Sequence, residues 1–342
     1  MKISLLVLQP HHIDFFKNLF HELEEEGHKV WCLARGDEIN RRYLSKLDIK
    51  YSLFGNQPEA HLPKFVPYTR NKISLISKHL TFRPDLTLSV NSLPLSPFNS
   101  IFNTISVVFL DYKLRKKDER NLFNYADKIV TPDCYPFDVP SKKHLSHPSY
   151  HSLAYLHPSR FEPDFQILDK LSIEPKNYVF VSFARGDWIK DEDNNSLQRR
   201  EKMDIVRSLE DHCEVLVDGR GSVPEPLEEY TPSISIVDYN HLIANAKLAL
   251  GDDPIVSSEA GVLGVPWILI SDSTSPTLEE QEVHYEIGTQ VTDIEEAEEL
   301  ADMILAEEID PNFERVRKEI LKDKKDLTDW MMRLVEGYER IL

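Results

Sequence analysis

The chain has 342 residues, 41% of them hydrophobic and 10% aromatic, which excludes a disordered protein and allows two domains with separate cores. Its 58 acidic residues against 40 lysines and arginines give a formal net charge of −18, a field that repels nucleic acid and anionic membrane. A local basic pocket for a nucleotide-sized ligand stays compatible with that balance.

In chain order, Ile3–Leu8 (ISLLVL) is a continuous apolar run, as in a parallel strand covered on both faces. A helix over His12–Glu26 follows, with Ile13, Phe16, Phe20 and Leu23 at helical spacing and Gly27 as its stop. Next come strand Val30–Ala34, a polar helix from Asp37, strand Ile49–Phe54, helix Asn71–Leu80 and strand Asp85–Val90. A short helix near Pro97–Asn103, strand Ile105–Asp111, helix Lys117–Ala126 and strand Lys128–Thr131 complete a first alternating half. The proline- and histidine-rich stretch from Pro132 to Pro163 shows no periodicity and reads as the connection between domains.

The alternation restarts with strand Tyr178–Ala184, helix Leu197–Leu209, strand Glu214–Asp218 and a short strand Ser233–Val237. Helix Tyr239–Ala246, strand Leu248–Gly251, helix Val256–Leu263, strand Trp267–Ile270, helix Leu278–Tyr285, strand Gln290–Thr292 and helix Ile294–Glu307 follow. Two acid-rich helices close the chain, the last with Trp330, Leu334, Val335 and Tyr338 on one face. This is an α/β pattern of two Rossmann-like, doubly wound parallel-sheet domains facing a cleft, with boundaries expected at 1–160 and 161–325 and a terminal helix at 326–342 that returns to the first domain. Cys32, Cys134 and Cys213 lie far apart without metal spacing, and no segment approaches the ~20 apolar residues of a membrane helix, so a cytoplasmic protein is expected.

Ligands of such sheets sit beyond the carboxyl ends of the strands. That selects Gln9–His12, Asn91–Ser92 and Asp111 in the first half, and Ala184–Asp187, Gly219–Gly221, Asp252–Glu259 and Ser271–Thr274 in the second. Several of these stretches are familiar. LQPHHIDFFKNLFHELEEEGHKVWCLAR, ADKIVTP (Ala126–Pro132), LAYLHPSRFEPD (Leu153–Asp164) and GDDPIVSSEAGVLGVP (Gly251–Pro266) resemble, in consistent order, a largely archaeal family called domain of unknown function 354. That family is similar to GT-B proteins, which include nucleotide-sugar glycosyltransferases and UDP-N-acetylglucosamine 2-epimerase. The resemblance implies a GT-B-like fold and a nucleotide-activated sugar, UDP-linked, with an acceptor of unknown identity; no cofactor is expected, and no metal, since no DxD-type motif stands out in the sequence.

The chain departs from the family at four places. Asp253, Pro254 and Ile255 stand where a glycine-rich stretch and a threonine are usual, and Lys113 stands where a second acid is expected after Asp111. A His-Glu pair appears as His151-Ser152, and a His-Asp pair is missing from SFARGDWIKDED. Each change removes a group able to move a proton, so an epimerase-like enzyme and a non-catalytic binding protein stand as alternatives to a glycosyltransferase.

By the resemblance, the helix N-terminus at Ser257 and Ser258 meets a diphosphate through backbone amides, and Glu259 accepts from ribose hydroxyls. The plainer alternative is that a serine caps the helix and Glu259 favours its dipole. Arg185 forks onto phosphate or pairs with a nearby acid. Gly219 and Gly221 allow close backbone approach or simply make a turn. Ser273 and Thr274 hydrogen-bond a sugar or cap a loop. On the acceptor side, His12 is a candidate base and Asp111 a second, while His11, Asn91 and His157 are candidate contacts. The rival reading makes a histidine a cap and Asp111 the end of its strand. His147 and His151 have helical metal spacing, but Pro148 between them argues against a metal site.

Overall fold

Apolar runs bounded by turns form two all-parallel sheets. The computed structural model describes every residue except 56–64, 96–101, 185–196, 222, 224, 274, 308–312 and 341–342, and the side chains of 65–69. The chain divides into two units, one of Met1–Tyr155 with Lys325–Leu342, the other of Leu156–Lys324.

In the first unit the strands are β1 (Lys2–Val7), β2 (Lys29–Arg35), β3 (Tyr51–Phe54), β4 (Leu86–Val90), β5 (Ile105–Phe109), β6 (Lys128–Pro132) and β7 (His144–His147). They lie in the order β3-β2-β1-β4-β5-β6-β7, all parallel. The helices are α1 (His11–Glu25), α2 (Glu38–Leu44), α3 (Phe65–Phe82), α4 (Lys116–Tyr125) and α5 (Leu153–Leu156). Helix α1 buries Ile13, Phe16, Phe20 and Leu23, and Gly27 follows it at φ +84°, as its spacing and stop required. Asp37 caps α2 by accepting from Asn40 N–H.

The second unit has α6 (Gln166–Leu171), β8 (Tyr178–Ser182), α7 (Arg199–Glu210), β9 (Glu214–Val217), α8 (Glu225–Glu228), α9 (Tyr239–Asn245), β10 (Leu248–Gly251) and α10 (Pro254–Leu263). It continues with β11 (Trp267–Ile270), α11 (Pro276–Val283), β12 (Gly288–Val291), α12 (Ile294–Leu305) and α13 (Phe313–Asp323). The strand order is β12-β11-β10-β8-β9, again parallel, over a core that includes Val179, Val181, Ile205, Val215 and Ile268. The last helix, α14 (Leu327–Glu339), belongs to the first unit. Among the described residues no helix is long and apolar enough to cross a membrane.

Two expectations need correction. The stretch read as a structureless connection contains β7, whose sequence HLSH is polar; its register with β6 (Ile129↔His144 to Pro132↔His147) rather than an apolar pattern makes it a strand. Ser233–Val237 is not a strand, because Ile234 N–H closes back on Pro232 O and Asp238 N–H on Ser235 O. The helix expected near Pro97–Asn103 falls mostly outside the described residues.

At the end of β10, Gly251 has φ +146°, and a Cβ there would lie 1.9 Å from Ser182 O on the neighbouring strand. Both the conformation and the close approach require glycine. Gly251→Ala is expected to cost about 3 kcal/mol in urea unfolding, from backbone strain plus overpacking; a loss near zero would mean that the strand end relaxes freely.

Candidate functional site

In the first unit the strand order reverses between β1 and β4, so the loops after these strands open the crevice that doubly wound sheets use for ligands. Three chain segments meet there. After β1, His12 sits in the first turn of α1, almost fully buried, and its Nδ1 accepts from Leu8 N–H at 3.3 Å. Burial, then the neighbouring His11, drive its pKa well below the usual histidine range. A neutral ring whose Nδ1 accepts carries its proton on Nε2, so His12 is a donor there. That argues against the base role expected for it and gives the residue a turn-fixing task. His11 packs edge-on against His12, ring centroids 4.5 Å apart.

After β4, Asn91 adopts φ +54°, a left-handed conformation that asparagine tolerates better than most residues. Its N–H extends the sheet by donating to Phe109 O at 2.7 Å. This twist turns the side chain onto Asp111, just beyond β5. Asn91 Nδ2 donates to Asp111 Oδ1 at 2.7 Å, and Asp111 N–H donates back to Asn91 Oδ1 at 3.2 Å. The other carboxylate oxygen, Oδ2, accepts from His151 Nδ1 at 2.9 Å. Burial by itself raises the Asp111 pKa. It is outweighed by the His151 charge, the hydrogen bonds from His151 and Asn91, and the charge of His11, so Asp111 is held well below the usual carboxylate range. The carboxylate nonetheless keeps 28% side-chain exposure, against 13% for His151. Sequence reasoning singled out His11, His12, Asn91 and Asp111, and the structure brings them together. It missed His151 as a partner of Asp111, although the signal was present in the His-Ser pair that stands for His-Glu.

In the second unit the reversal lies between β8 and β10. Asp252, just past β10, ties the following loops down: its carboxylate accepts from Ala184 N–H at 2.6 Å and Leu197 N–H at 3.1 Å and pairs with Lys202 at 3.3 Å. Burial raises its pKa, against the opposing pull of Lys202 and the two amides. Asp253 is the N-cap of α10 and accepts from Ile255 N–H at 3.0 Å. Ser257 is buried and its hydroxyl donates to Asp253 O, while the Ser258 carbonyl accepts from Gln281 Nε2 at 3.4 Å. Asp253 therefore takes the capping role that the plainer reading gave to a serine.

Glu259 is not the lone carboxylate its sequence context suggested. It is 1% exposed, and Arg220 holds it through Nη1 and Nη2, each 3.1 Å from Oε2. The same guanidinium binds Asp218 through Nε, at 3.1 and 3.0 Å to the two carboxylate oxygens, and donates to Asn240 Oδ1 at 3.2 Å. Desolvation works against the buried cation, yet Asp218 and Glu259 keep its pKa well above the ordinary arginine value. A ribose-reading acid must face the ligand, and in this conformation Glu259 faces Arg220. Arg220 went unnoticed between the glycines of VDGRGS, although a buried acid requires a cation.

The glycines and loop residues separate in the same way. A Cβ on Gly219 would meet Tyr239 OH at 2.3 Å and Thr231 Cγ2 at 2.4 Å, so internal packing accounts for that glycine. Gly221 is half-buried beside Arg220. Ser273 is exposed, its N–H donating to Ser271 Oγ at 3.1 Å. His157 lies in the second unit, with Nδ1 2.8 Å from Ser159 Oγ in a local turn. Arg185 and Thr274 lie outside the described residues.

Two all-parallel Rossmann-like units, their strands in these orders, define a GT-B fold. Solved structures agree over nearly the whole chain. The chain is similar to the UDP-GlcNAc 2-epimerase of Neisseria meningitidis, solved bound to UDP-GlcNAc, with TM-score 0.71 and 12% identity over 99% of this chain and all of that one (100%). It is similar to UDP-N-acetylglucosamine 2-epimerase of Rickettsia bellii, with TM-score 0.67 and 16% identity over 99% of this chain and 96% of that one. Spinosyn forosaminyltransferase gives TM-score 0.63 and 14% identity over 98% and 99% of the two chains. At such identities the likeness establishes the fold alone. No family model and no curated relative matches the chain.

Proposed function

We propose that this protein acts on a nucleotide-activated sugar, UDP-linked, as a metal-independent glycosyltransferase. The observation that carries the reading is the Asp111 carboxylate, held ionised yet reachable by Asn91 and His151, at the ligand-binding edge of the first sheet. Asp111 receives the acceptor hydroxyl. It takes the hydroxyl proton as the new glycosidic C–O bond forms and the bond from the anomeric carbon to the nucleoside diphosphate breaks. A carboxylate of depressed basicity accepts that proton late, once bond formation has made the hydroxyl strongly acidic. His11, the Nε2–H of His12 and Asn91 are contacts for the same acceptor. On the nucleotide side the Ser257 N–H is taken by Asp253 O and Gly219 by internal packing, so the reading keeps the N-terminal turn of α10 ahead of Ser257 and Ser258, together with Gly221, Ser273, Thr274 and Arg185. Glu259 acts there by holding Arg220. Membership of the domain of unknown function 354 family rests on the motifs quoted above.

Epimerisation calls for paired acids on the first-unit side. Among the described residues the side chains bonded to Asp111 are an amide and an imidazole, and Lys113 turns its ammonium over the Phe137 ring at 4.8 Å. That favours transfer. Incubation with UDP-N-acetylglucosamine, with and without a panel of sugar acceptors, followed by phosphorus NMR, separates the readings. UDP release that depends on acceptor supports the proposal. Interconversion of the nucleotide sugar without acceptor indicates an epimerase, and binding without turnover a non-catalytic protein; either result overturns it.

A further inference from the structure

His151 is held from more sides than a single hydrogen bond to Asp111 needs. Its ring lies 4.8 Å from Phe15 of α1 and 6.4 Å from Phe109 of β5, and stacks on His147 at 6.0 Å with 22° between the planes. His147, at the end of β7, is fully buried, and its ring lies 5.5 Å from Trp330 of α14. Trp330 also meets Phe109 at 6.4 Å. The N-terminal end of α14 is bonded to the short segment that carries His151. Lys325 N–H donates to Pro148 O at 2.8 Å, the Ser149 hydroxyl to Lys325 O at 2.6 Å, and the Thr328 hydroxyl to Ala154 O at 2.7 Å. From the other side, Asn18 of α1 donates to the same Ala154 O at 2.9 Å. Among the described residues His151 Nε2 is buried without a hydrogen-bond partner, so the Nδ1–H donated to Asp111 is the hydrogen bond that orients the ring.

We propose that His151 is a positioning residue for Asp111, and that Trp330, acting through His147, is the brace that keeps the imidazole in register with the carboxylate. The inference rests on the reading of Asp111 as the acceptor-side acid–base group, and it gives the chain's last helix a part in that site. A ring free to rotate would leave Asp111 with one hydrogen-bond donor fewer and a less defined direction of approach for an acceptor. Misplacement of a reacting group by about 1 Å is enough to cost roughly a hundredfold in rate.

The test reads the dyad directly, in the full-length protein, by proton and nitrogen NMR of the imidazoles. The native protein is expected to show a downfield, solvent-protected His151 Nδ1–H resonance that is lost in both Asp111→Asn and His151→Gln. Trp330→Leu should broaden it through faster solvent exchange, and Trp330→Phe, which keeps an aromatic brace, should restore it. Once an acceptor is in hand, Trp330→Leu should lower kcat about tenfold with KM nearly unchanged, the pattern of lost transition-state positioning rather than lost binding. A native protein without the resonance, or a resonance unchanged in Trp330→Leu, overturns the proposal. If Trp330→Leu fails to fold, Trp330→Met, which keeps bulk but no ring, takes its place with the same two outcomes. A protein that turns over no nucleotide sugar but shows the full NMR pattern defeats the functional reading alone. Turnover combined with an insensitive resonance defeats this inference alone.

Discussion

Arg220→Met is expected to destabilise the protein by about 3–5 kcal/mol, the cost of leaving buried carboxylates without their cation. For a two-unit chain of this size that is a fall of about 10 °C in the melting temperature of the second unit. The cause is stoichiometric: Asp218 and Glu259, both nearly inaccessible to solvent, share one guanidinium that is itself 4% exposed. Glu259→Ala should cost less, because Asp218 still neutralises Arg220 after the glutamate is gone. The double variant should therefore be less destabilised than the sum of the two singles. Denaturant unfolding of the three variants without nucleotide measures all of this. If Glu259→Ala left stability intact and weakened only nucleotide affinity, the acid would be a ligand contact after all, and the buried cluster an inactive arrangement.

The second large effect is expected at Asp111. Asp111→Asn preserves the shape and the contact with Asn91, but removes the proposed proton acceptor. Turnover should fall by about 10²- to 10⁴-fold, the usual range for loss of a general acid–base group, with a much smaller change in KM. The same variant carries a pH signature whose sign is fixed by the depressed pKa. A carboxyl group whose pKa is lower in the folded than in the unfolded protein adds stability above its unfolded value, near about 4, and loses it as pH falls towards the folded value. The native protein should therefore be more stable than Asp111→Asn at pH 7, and the gap should narrow on acidification below about pH 4. Urea midpoints at several pH values check this; a gap independent of pH would contradict the assignment of the paired, ionised state.

The sequence made the architecture legible because parallel strands buried on both faces are written as uninterrupted apolar runs. Leu248–Gly251 and Trp267–Ile270 have the bounds their apolar stretches suggested. Strand β7 was hidden for the converse reason: HLSH has no apolar face to announce it, and its pairing partner lies in β6. In the candidate site, the rule that ligands gather at carboxyl ends of strands selected Asn91, Asp111 and the His11-His12 pair without any tertiary information. What it left out was pairing. That Asp111 bonds to His151, 40 residues on, and that Arg220 answers both Asp218 and Glu259, depend on which loops the fold brings side by side. Spacing along the chain carries no trace of that. Glu259 looked solitary because its partner is 39 residues away, between two glycines that themselves read as a turn.

The central claim is that this GT-B chain handles a UDP-linked sugar, with Asp111 serving the acceptor side. Calorimetric titration of UDP-N-acetylglucosamine into the native protein and into Asp111→Asn tests it most directly. The account predicts saturable binding of one nucleotide sugar per chain, with similar affinity in both proteins, because the substitution keeps the side chain's shape and changes only its capacity to take a proton. No detectable heat and no thermal stabilisation at millimolar ligand, in a protein that is demonstrably folded, would contradict it.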